Sequence, residues 1–387
     1  MRTNPVFSGL PVSVFEVMSR LAREHDAVNL GQGFPDDPGP EDVRRKAAEA
    51  AVDGWNQYPP MMGIPALRQA VAAHYLYWHK LELDAETEVM VTSGATEALA
   101  GSLLALIEAG DEVVLFQPLY DAYLPLVLRA GGVPRFVRLE PPHWRFTEEM
   151  LAQAFSPKTK VVLLNNPHNP AGVVYPREDL ELLARFCQRF DAIAVCDEVW
   201  EHVIFDGRAH IPLIGLPGMR ERCVKIGSAG KIFSLTGWKV GFACAAPEIM
   251  GVLAKAHQFL TFTTPPNLQT AVAYGLAKED AYFHTMRTDL ARSRDRFARG
   301  LRQLGFSILD CQGTYFLNID VKPLGLKEDD EAFCKRLVVE HKVAAIPVSA
   351  FYAVGPIRSV VRFCFAKRDQ TLDAALERLA DVLKRAA

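Results

Sequence analysis

Nowhere in the chain is there a run of about eighteen apolar residues, the least that crosses a bilayer as a helix. The opening segment, MRTNPVFSGLPVSVFE, also lacks the apolar stretch of a secretion signal, so no membrane partner is expected. Lysine and arginine form no block or stripe and the net charge is -3, which leaves no basic track for a phosphate backbone; nucleic acid is not an expected partner. The seven cysteines, at 187, 196, 223, 244, 311, 334 and 364, are scattered, odd in number and never spaced as CxxC. That excludes a disulfide framework and a zinc site, so no metal is expected. Most sit in apolar runs such as Ile193-Ala194-Val195-Cys196, where a cysteine reads as a small buried hydrophobe. Reduced thiols and a cytoplasmic location follow as expectations. Repeats, low-complexity tracts and long linkers are missing as well. What remains is a globular protein acting on small molecules.

Hydrophobic residues make up 49% of the 387, enough for a sizeable interior, and that length exceeds what one core usually serves. From about residue 88 to 245, β-branched apolar runs alternate with helical patterns: Val89 to Thr92, Val113 to Phe116, Val161 to Leu164, Ile193 to Cys196 and Val224 to Ile226. That rhythm reads as α/β units feeding a mainly parallel sheet covered on both faces. After Ser93, residues Ala95, Leu99, Ser102, Leu103 and Leu106 share one helical face. Two more helices, around 285–304 and 369–386, flank strand-like stretches at Tyr315 to Ile319 and Val360 to Phe365, which reads as a second, α+β domain. The expected division is a large domain over 46–280 and a small one built from 1–45 and 281–387.

Four polar segments fall at the expected C-terminal ends of strands: Ser93-Gly94-Ala95-Thr96-Glu97, Asn165-Asn166-Pro167-His168-Asn169-Pro170, Asp197-Glu198-Val199-Trp200 and Ser228-Ala229-Gly230-Lys231. Open α/β sheets bind ligands there, so the four segments read as one site. A lysine in a loop of small residues has room for a planar group beside it, and a desolvated ε-amine can form an imine. Asp197 follows an apolar strand, where an unpaired carboxylate is costly and a cationic partner removes that cost. Arg362, in Val360-Val361-Arg362-Phe363-Cys364-Phe365, calls for an anion, either a ligand's or an internal salt bridge's.

The segments LGQGFPD (30–36), NQYPPMMG (56–63), SGATEAL (93–99), NNPHNPAG (165–172), DEVWEH (197–202), GSAGKIFSLTGWKVG (227–241) and VRFCFAK (361–367) resemble, in order, those of the fold-type I, class I/II aminotransferases. The similarity runs nearly end to end, and the kynurenine/glutamine, methionine and N-succinyldiaminopimelate aminotransferases are the groups it resembles most. The resemblance implies a seven-stranded, mainly parallel sheet between helices, a smaller α+β domain, and pyridoxal 5'-phosphate (PLP) as cofactor. It implies that Lys231 holds PLP as a Schiff base and then moves the proton between substrate Cα and cofactor C4'. Asp197 would pair with the pyridine nitrogen, Asn169 would donate to the phenolic oxygen, and Tyr120 would stack on the ring. Ala95, Thr96, Ser228 and Lys239 would hold the phosphate, with Tyr58 reaching across from the neighbouring subunit of a homodimer. Arg362, Gly33 and Asn169 would take the substrate's α-carboxylate side. Two departures stand out: Trp200 replaces the family's usual tyrosine, offering an N–H donor and no acceptor, and Lys239 replaces the usual arginine, a point charge without the bidentate fork.

Dicarboxylate-specific members of the family use a second arginine, and the candidate loop Thr261 to Pro266 contains none. Phe15, Phe34, Tyr315 and Phe351 are available as pocket aromatics. The expected donor is an apolar or aromatic amino acid, methionine, kynurenine or glutamine, and the acceptor a 2-oxo acid. Two catalytic alternatives are an N-succinyldiaminopimelate aminotransferase and a cysteine-S-conjugate β-lyase, in which the same carbanion expels a β-leaving group. A PLP-sensing domain without catalysis is set aside, because Lys231 and Asp197 are both present and the family-like segment starts at Pro5.

Overall fold

In a computed structural model of the chain, which describes residues 3–383, a seven-stranded sheet forms the centre of the larger part. Its spatial order is Val89–Thr92, Gly241–Ala245, Cys223–Ser228, Ile193–Asp197, Thr159–Asn165, Glu112–Gln117 and Val133–Arg138. Gly241–Ala245 runs antiparallel to both of its neighbours, and every other pairing is parallel. The mainly parallel sheet expected from the sequence is therefore present.

Side chains alternate between its two faces. Val162 and Leu164 pack into one core with Leu67, Val71, Leu180 and Leu183 from the helices Pro65–His79 and Arg177–Arg189. Val161 and Leu163 pack into the other with Leu99, Leu103 and Leu253 from the helices Ala95–Leu106 and Pro247–Leu260. This two-residue period under helices on both sides is why the strands read as continuous apolar runs.

The second part is a four-stranded antiparallel sheet, ordered Ile346–Pro347, Val360–Cys364, Phe316–Asp320 and Ser307–Ile308. Its core joins Leu317, Ile319, Val361 and Phe363 to Phe297, Phe333 and Leu337 of the covering helices, and to Met18 and Ala22 of the N-terminal helix Val14–Glu24. Val28–Asn29 pairs with Val343–Ala344, tying the N-terminal segment to this part. The side chain of Asp329 accepts a hydrogen bond from the Ala332 N–H at 2.9 Å and caps the helix Asp330–His341.

Several boundaries differ from the expectation. The helix expected at 285–304 is Asp280–Gln303, and the one expected at 369–386 is Asp369–Leu379, with 384–386 outside the described residues. The helix Glu41–Asp53 runs unbroken through the expected divide at 45/46 and packs with Pro266–Leu276 on the larger part. Among the described residues no helix is long and apolar enough to cross a membrane, and no group of histidine, cysteine and acidic side chains is arranged to hold a metal.

Candidate active site

The four polar segments converge. Asn165 and Asp197 end adjacent parallel strands and are paired in register, and Ser228 ends the next. Lys231 lies on the helical turn Ala229–Ile232 that follows. With Gly94, Ala95, Thr96, Tyr120, Asn169, Trp200, Lys239 and Arg362 they line one cleft of about 370 Å³. Gly33 closes it from the N-terminal segment.

Backbone geometry explains the small residues on one wall. Gly94 precedes the helix Ala95–Leu106 with φ of 78°, in the left-handed region that glycine adopts without strain. A Cβ on Gly241 would lie 2.7 Å from the Gly94 carbonyl carbon and 2.8 Å from the Ala95 nitrogen, so only glycine lets the antiparallel strand pass this close. The result is a helix start with free N–H groups beside the Lys239 side chain and the Ser228 hydroxyl, a setting suited to an anion.

Three charged groups in the cleft are held away from the state they would have in water. Burial pushes the Lys231 amine down to about 8, against the pull of nearby Asp197. Its Nζ donates to the Tyr315 hydroxyl oxygen at 3.1 Å and lies 4.7 Å from the Trp200 ring. Burial raises the Asp197 carboxyl, opposed by the Tyr123 hydroxyl, which donates to it at 2.6 Å, and by the Val199 N–H at 3.4 Å. Arg362 is 1% exposed, and burial pulls its guanidinium down to about 10. Nη1 donates to Asn169 Oδ1 at 2.8 Å and Nη2 to the Gly31 carbonyl at 3.1 Å, while Nε has no partner. The Phe316 ring lies 3.8 Å from the guanidinium carbon. An internal salt bridge, one of the two readings left open for Arg362, is not formed; its hydrogen-bond partners are neutral oxygens.

Each of these groups lacks a partner of a definite kind. A desolvated carboxylate calls for a cation, a desolvated amine for a carbon electrophile or a proton, and an orphaned guanidinium N–H for an anion. An anion cradle stands at the opposite end, so the residues fit a planar phosphorylated pyridine with an amino acid beside it.

Tyr58, expected to act from a neighbouring subunit, does not line this cleft. Tyr58 is 81% exposed and its ring packs against Phe262 at 5.5 Å, away from Lys231. Of the four aromatics considered for the pocket, Phe15 lines it. Phe34 is largely exposed beneath the Lys367 amine, Phe351 is buried behind Arg362, and Tyr315 lies under Lys231, where its hydroxyl also donates to the Gly33 carbonyl at 2.7 Å. Tyr123, Asp121, Gln32, Thr236 and Phe316 line the cleft without having stood out in the sequence. Tyr123 begins the amphipathic helix Tyr123–Ala130 and reads locally as a core aromatic, because its carboxylate partner is 74 positions away.

Glu198 and Glu201, in the same segment as Asp197, face away from the cleft. Both meet the buried Lys225 amine, at 3.0 and 2.7 Å. Burial would raise Glu201, but Lys225 and His79 hold it well below the usual carboxylate range.

Residues 25–379 match the model of the family described as aminotransferase class I and II. The chain is 43% identical over 386 residues to a probable N-succinyldiaminopimelate aminotransferase of Mycobacterium tuberculosis, covering 97% of each. It is 39% identical over 384 residues to the methionine aminotransferase of Escherichia coli, covering 98% of this chain and 99% of that one. A solved structure of the M. tuberculosis N-succinyldiaminopimelate aminotransferase superposes with a TM-score of 0.95 at 42% identity, over 99% of this chain and all of that one.

Proposed function

The chain belongs to the class I and II aminotransferases, a family that implies PLP, and from that membership we propose that it moves the amino group of an apolar, aromatic or amide-bearing amino acid to a 2-oxo acid. The observation that carries the reading is Arg362: fully buried, with only neutral oxygens as hydrogen-bond partners, and lining the same cleft as Lys231. A free α-carboxylate supplies the missing anion.

PLP, when bound, supplies an electron sink for the charge that develops at the substrate Cα. Lys231 would hold the cofactor, and its amine, with its affinity for protons reduced by burial, would move the proton between the substrate Cα and the cofactor's C4'. Asp197, steadied by Tyr123, keeps a negative charge where the ring nitrogen requires a counterion. Asn169 and Trp200 would serve the ring's phenolic oxygen, and Tyr120 would stack on the ring; all three line the cleft. Ala95, Thr96, Ser228 and Lys239 hold the phosphate. Gly33 and Asn169 complete the carboxylate grip of Arg362.

In this reading the protein works as a cytoplasmic homodimer. The exposure of Tyr58, away from its own cleft, supports its use by a neighbouring subunit, and the seven cysteines are all unpaired. The division into a large domain over 46–280 and a small one over 1–45 and 281–387 is part of the same proposal, supported by the separate sheets.

For the donor, the cleft offers Phe15, Phe316 and Trp200 as apolar walls and adds the exposed Asp121 carboxylate, which would oppose a distal substrate carboxylate. The identity of 43% to an N-succinyldiaminopimelate aminotransferase favours that donor as the second reading. Steady-state kcat/KM for methionine, phenylalanine, kynurenine and glutamine, compared with glutamate and N-succinyldiaminopimelate, separates the two. Turnover confined to the acidic donors would remove the first.

A further inference from the structure

We propose that Tyr315 is a positioning residue for Lys231: its phenol oxygen holds the lysine amine in the cleft and leaves the amine's lone pair free to act there. The proposal rests on the reading of Lys231 given above and adds the group that aims it.

A tyrosine hydroxyl has one proton to give. Here it goes to the Gly33 carbonyl at 2.7 Å, so the oxygen meets Nζ, 3.1 Å away, as an acceptor only. A neutral amine that donates one N–H to this oxygen keeps its lone pair uninvolved. Were the phenol proton directed at Nζ instead, the lone pair would be occupied and the amine would be a poor base. The Gly33 carbonyl thus sets the direction of the Tyr315 bond, and that bond sets the direction of the lysine.

The phenol is well fixed. Tyr315 is 1% exposed, with the Trp200 ring edge-on at 4.4 Å and Phe316 at 5.1 Å. The restraint has something to restrain. Lys231 also borders a second cleft of about 780 Å³ on its other side, lined among others by Asp37, Ser234, Lys278, Tyr282 and Tyr315 itself. A flexible four-carbon stem held only by the long 3.5 Å contact of its amine to the Gly33 carbonyl could turn its amine that way. From neighbouring elements, Asp197 at a strand end, Arg362 and Cys364 on Val360–Cys364, and Lys239 after the turn Thr236–Trp238 act electrostatically on Nζ. None of these four side chains hydrogen-bonds to it; the phenol oxygen of Tyr315 does at 3.1 Å, while the Gly33 carbonyl, which already accepts the phenol proton, meets it only at 3.5 Å.

The test uses the full-length chain freed of cofactor. Lys231 carbamylation by cyanate is followed by peptide mass spectrometry from pH 6 to pH 10, and its midpoint is compared with that of Tyr315→Phe, which keeps the packed ring. Loss of an acceptor that favours the ammonium form is expected to lower the midpoint by about one pH unit. In the loaded variant kcat is expected to fall about ten- to a hundredfold while KM stays within about twofold. Tyr282→Phe, whose hydroxyl donates to the Ile232 carbonyl at 3.1 Å on the second cleft, leaves both quantities unchanged. Should the phenylalanine variant not fold, Tyr315→Gln, which returns an acceptor oxygen, carries the test with a midpoint near wild type and below-normal packing stability. An unaltered midpoint in Tyr315→Phe, or a shifted one in Tyr315→Gln, overturns the proposal. A failure of the reaction class itself would show separately, as wild-type protein that transfers no amino group.

Discussion

Replacing Arg362 with methionine should move activity and stability in different directions. The guanidinium sits at 1% exposure, and burial, against the pull of Cys364 and Tyr315, brings it down to about 10. A depression of that size corresponds to a cost on the order of 3 kcal/mol for keeping the charge in the unliganded protein. Methionine removes that cost and preserves contact with Phe316. Against it stand two hydrogen bonds, to Asn169 Oδ1 and the Gly31 carbonyl, whose loss leaves two buried oxygens short of a donor at about 1 to 3 kcal/mol each. The two effects nearly cancel, so the melting temperature of the cofactor-loaded, substrate-free variant should lie within a few degrees of wild type. The substrate carboxylate, by contrast, loses a charged fork worth about 3 to 5 kcal/mol, which lowers kcat/KM by about 10² to 10⁴. Arg362→Lys keeps the charge but not the fork and should fall between. Differential scanning calorimetry and donor kinetics on one preparation give both numbers. If Arg362→Met lost the 3 to 5 kcal/mol typical of a broken buried ion pair while kcat/KM stayed within tenfold, the arginine would be a structural element and the reasoning refuted.

Lys225→Met should be strongly destabilising, because it leaves Glu198 and Glu201 buried without their shared cation; a loss of about 3 to 5 kcal/mol in urea unfolding is expected, and one below about 1 kcal/mol would contradict the assignment. Tyr123→Phe removes the 2.6 Å donor to Asp197 and should weaken cofactor binding about tenfold, read by ultrafiltration, with little change in the far-UV spectrum. His74 is held neutral by burial, with its affinity lowered to about 4 against 6.5 in the unfolded chain. The unfolded state therefore binds more protons between those values, and stability should fall as pH drops from 6.5 toward 4, by on the order of 3 kcal/mol from this group. His74→Gln should flatten that slope; an unchanged slope in urea melts would place the acid sensitivity elsewhere.

The strands of the large sheet were legible because both of their faces are buried, which makes Val161 to Leu164 and Ile193 to Cys196 apolar throughout. Val133–Arg138 was not: it lies at the sheet edge, carries Pro134, and exposes Val133, Arg135 and Arg138. The reversed direction of Gly241–Ala245 leaves no local mark, since a fully buried strand reads the same either way. At the site, residues legible from motifs line one cleft: Lys231, Asp197 and Asn169 at or after strand ends, and Arg362 within the strand Val360–Cys364. Tyr123 and Asp121 were missed because their partners, Asp197 and Ser13, are 74 and 108 positions away and their own surroundings look like ordinary helix and loop. Aromaticity alone makes Phe351 a possible pocket wall, whereas it packs behind the arginine.

Under the proposed function, amino transfer turns on Lys231. Its most direct test is the absorption spectrum of the purified full-length protein with PLP, followed as single amino acids are added without any 2-oxo acid, alongside Lys231→Ala. The account predicts a visible band in the wild type that particular donors convert to the spectrum of the aminated cofactor, and no such response in the variant. A protein that takes up no PLP, or a Lys231→Ala variant that responds as the wild type does, would contradict it.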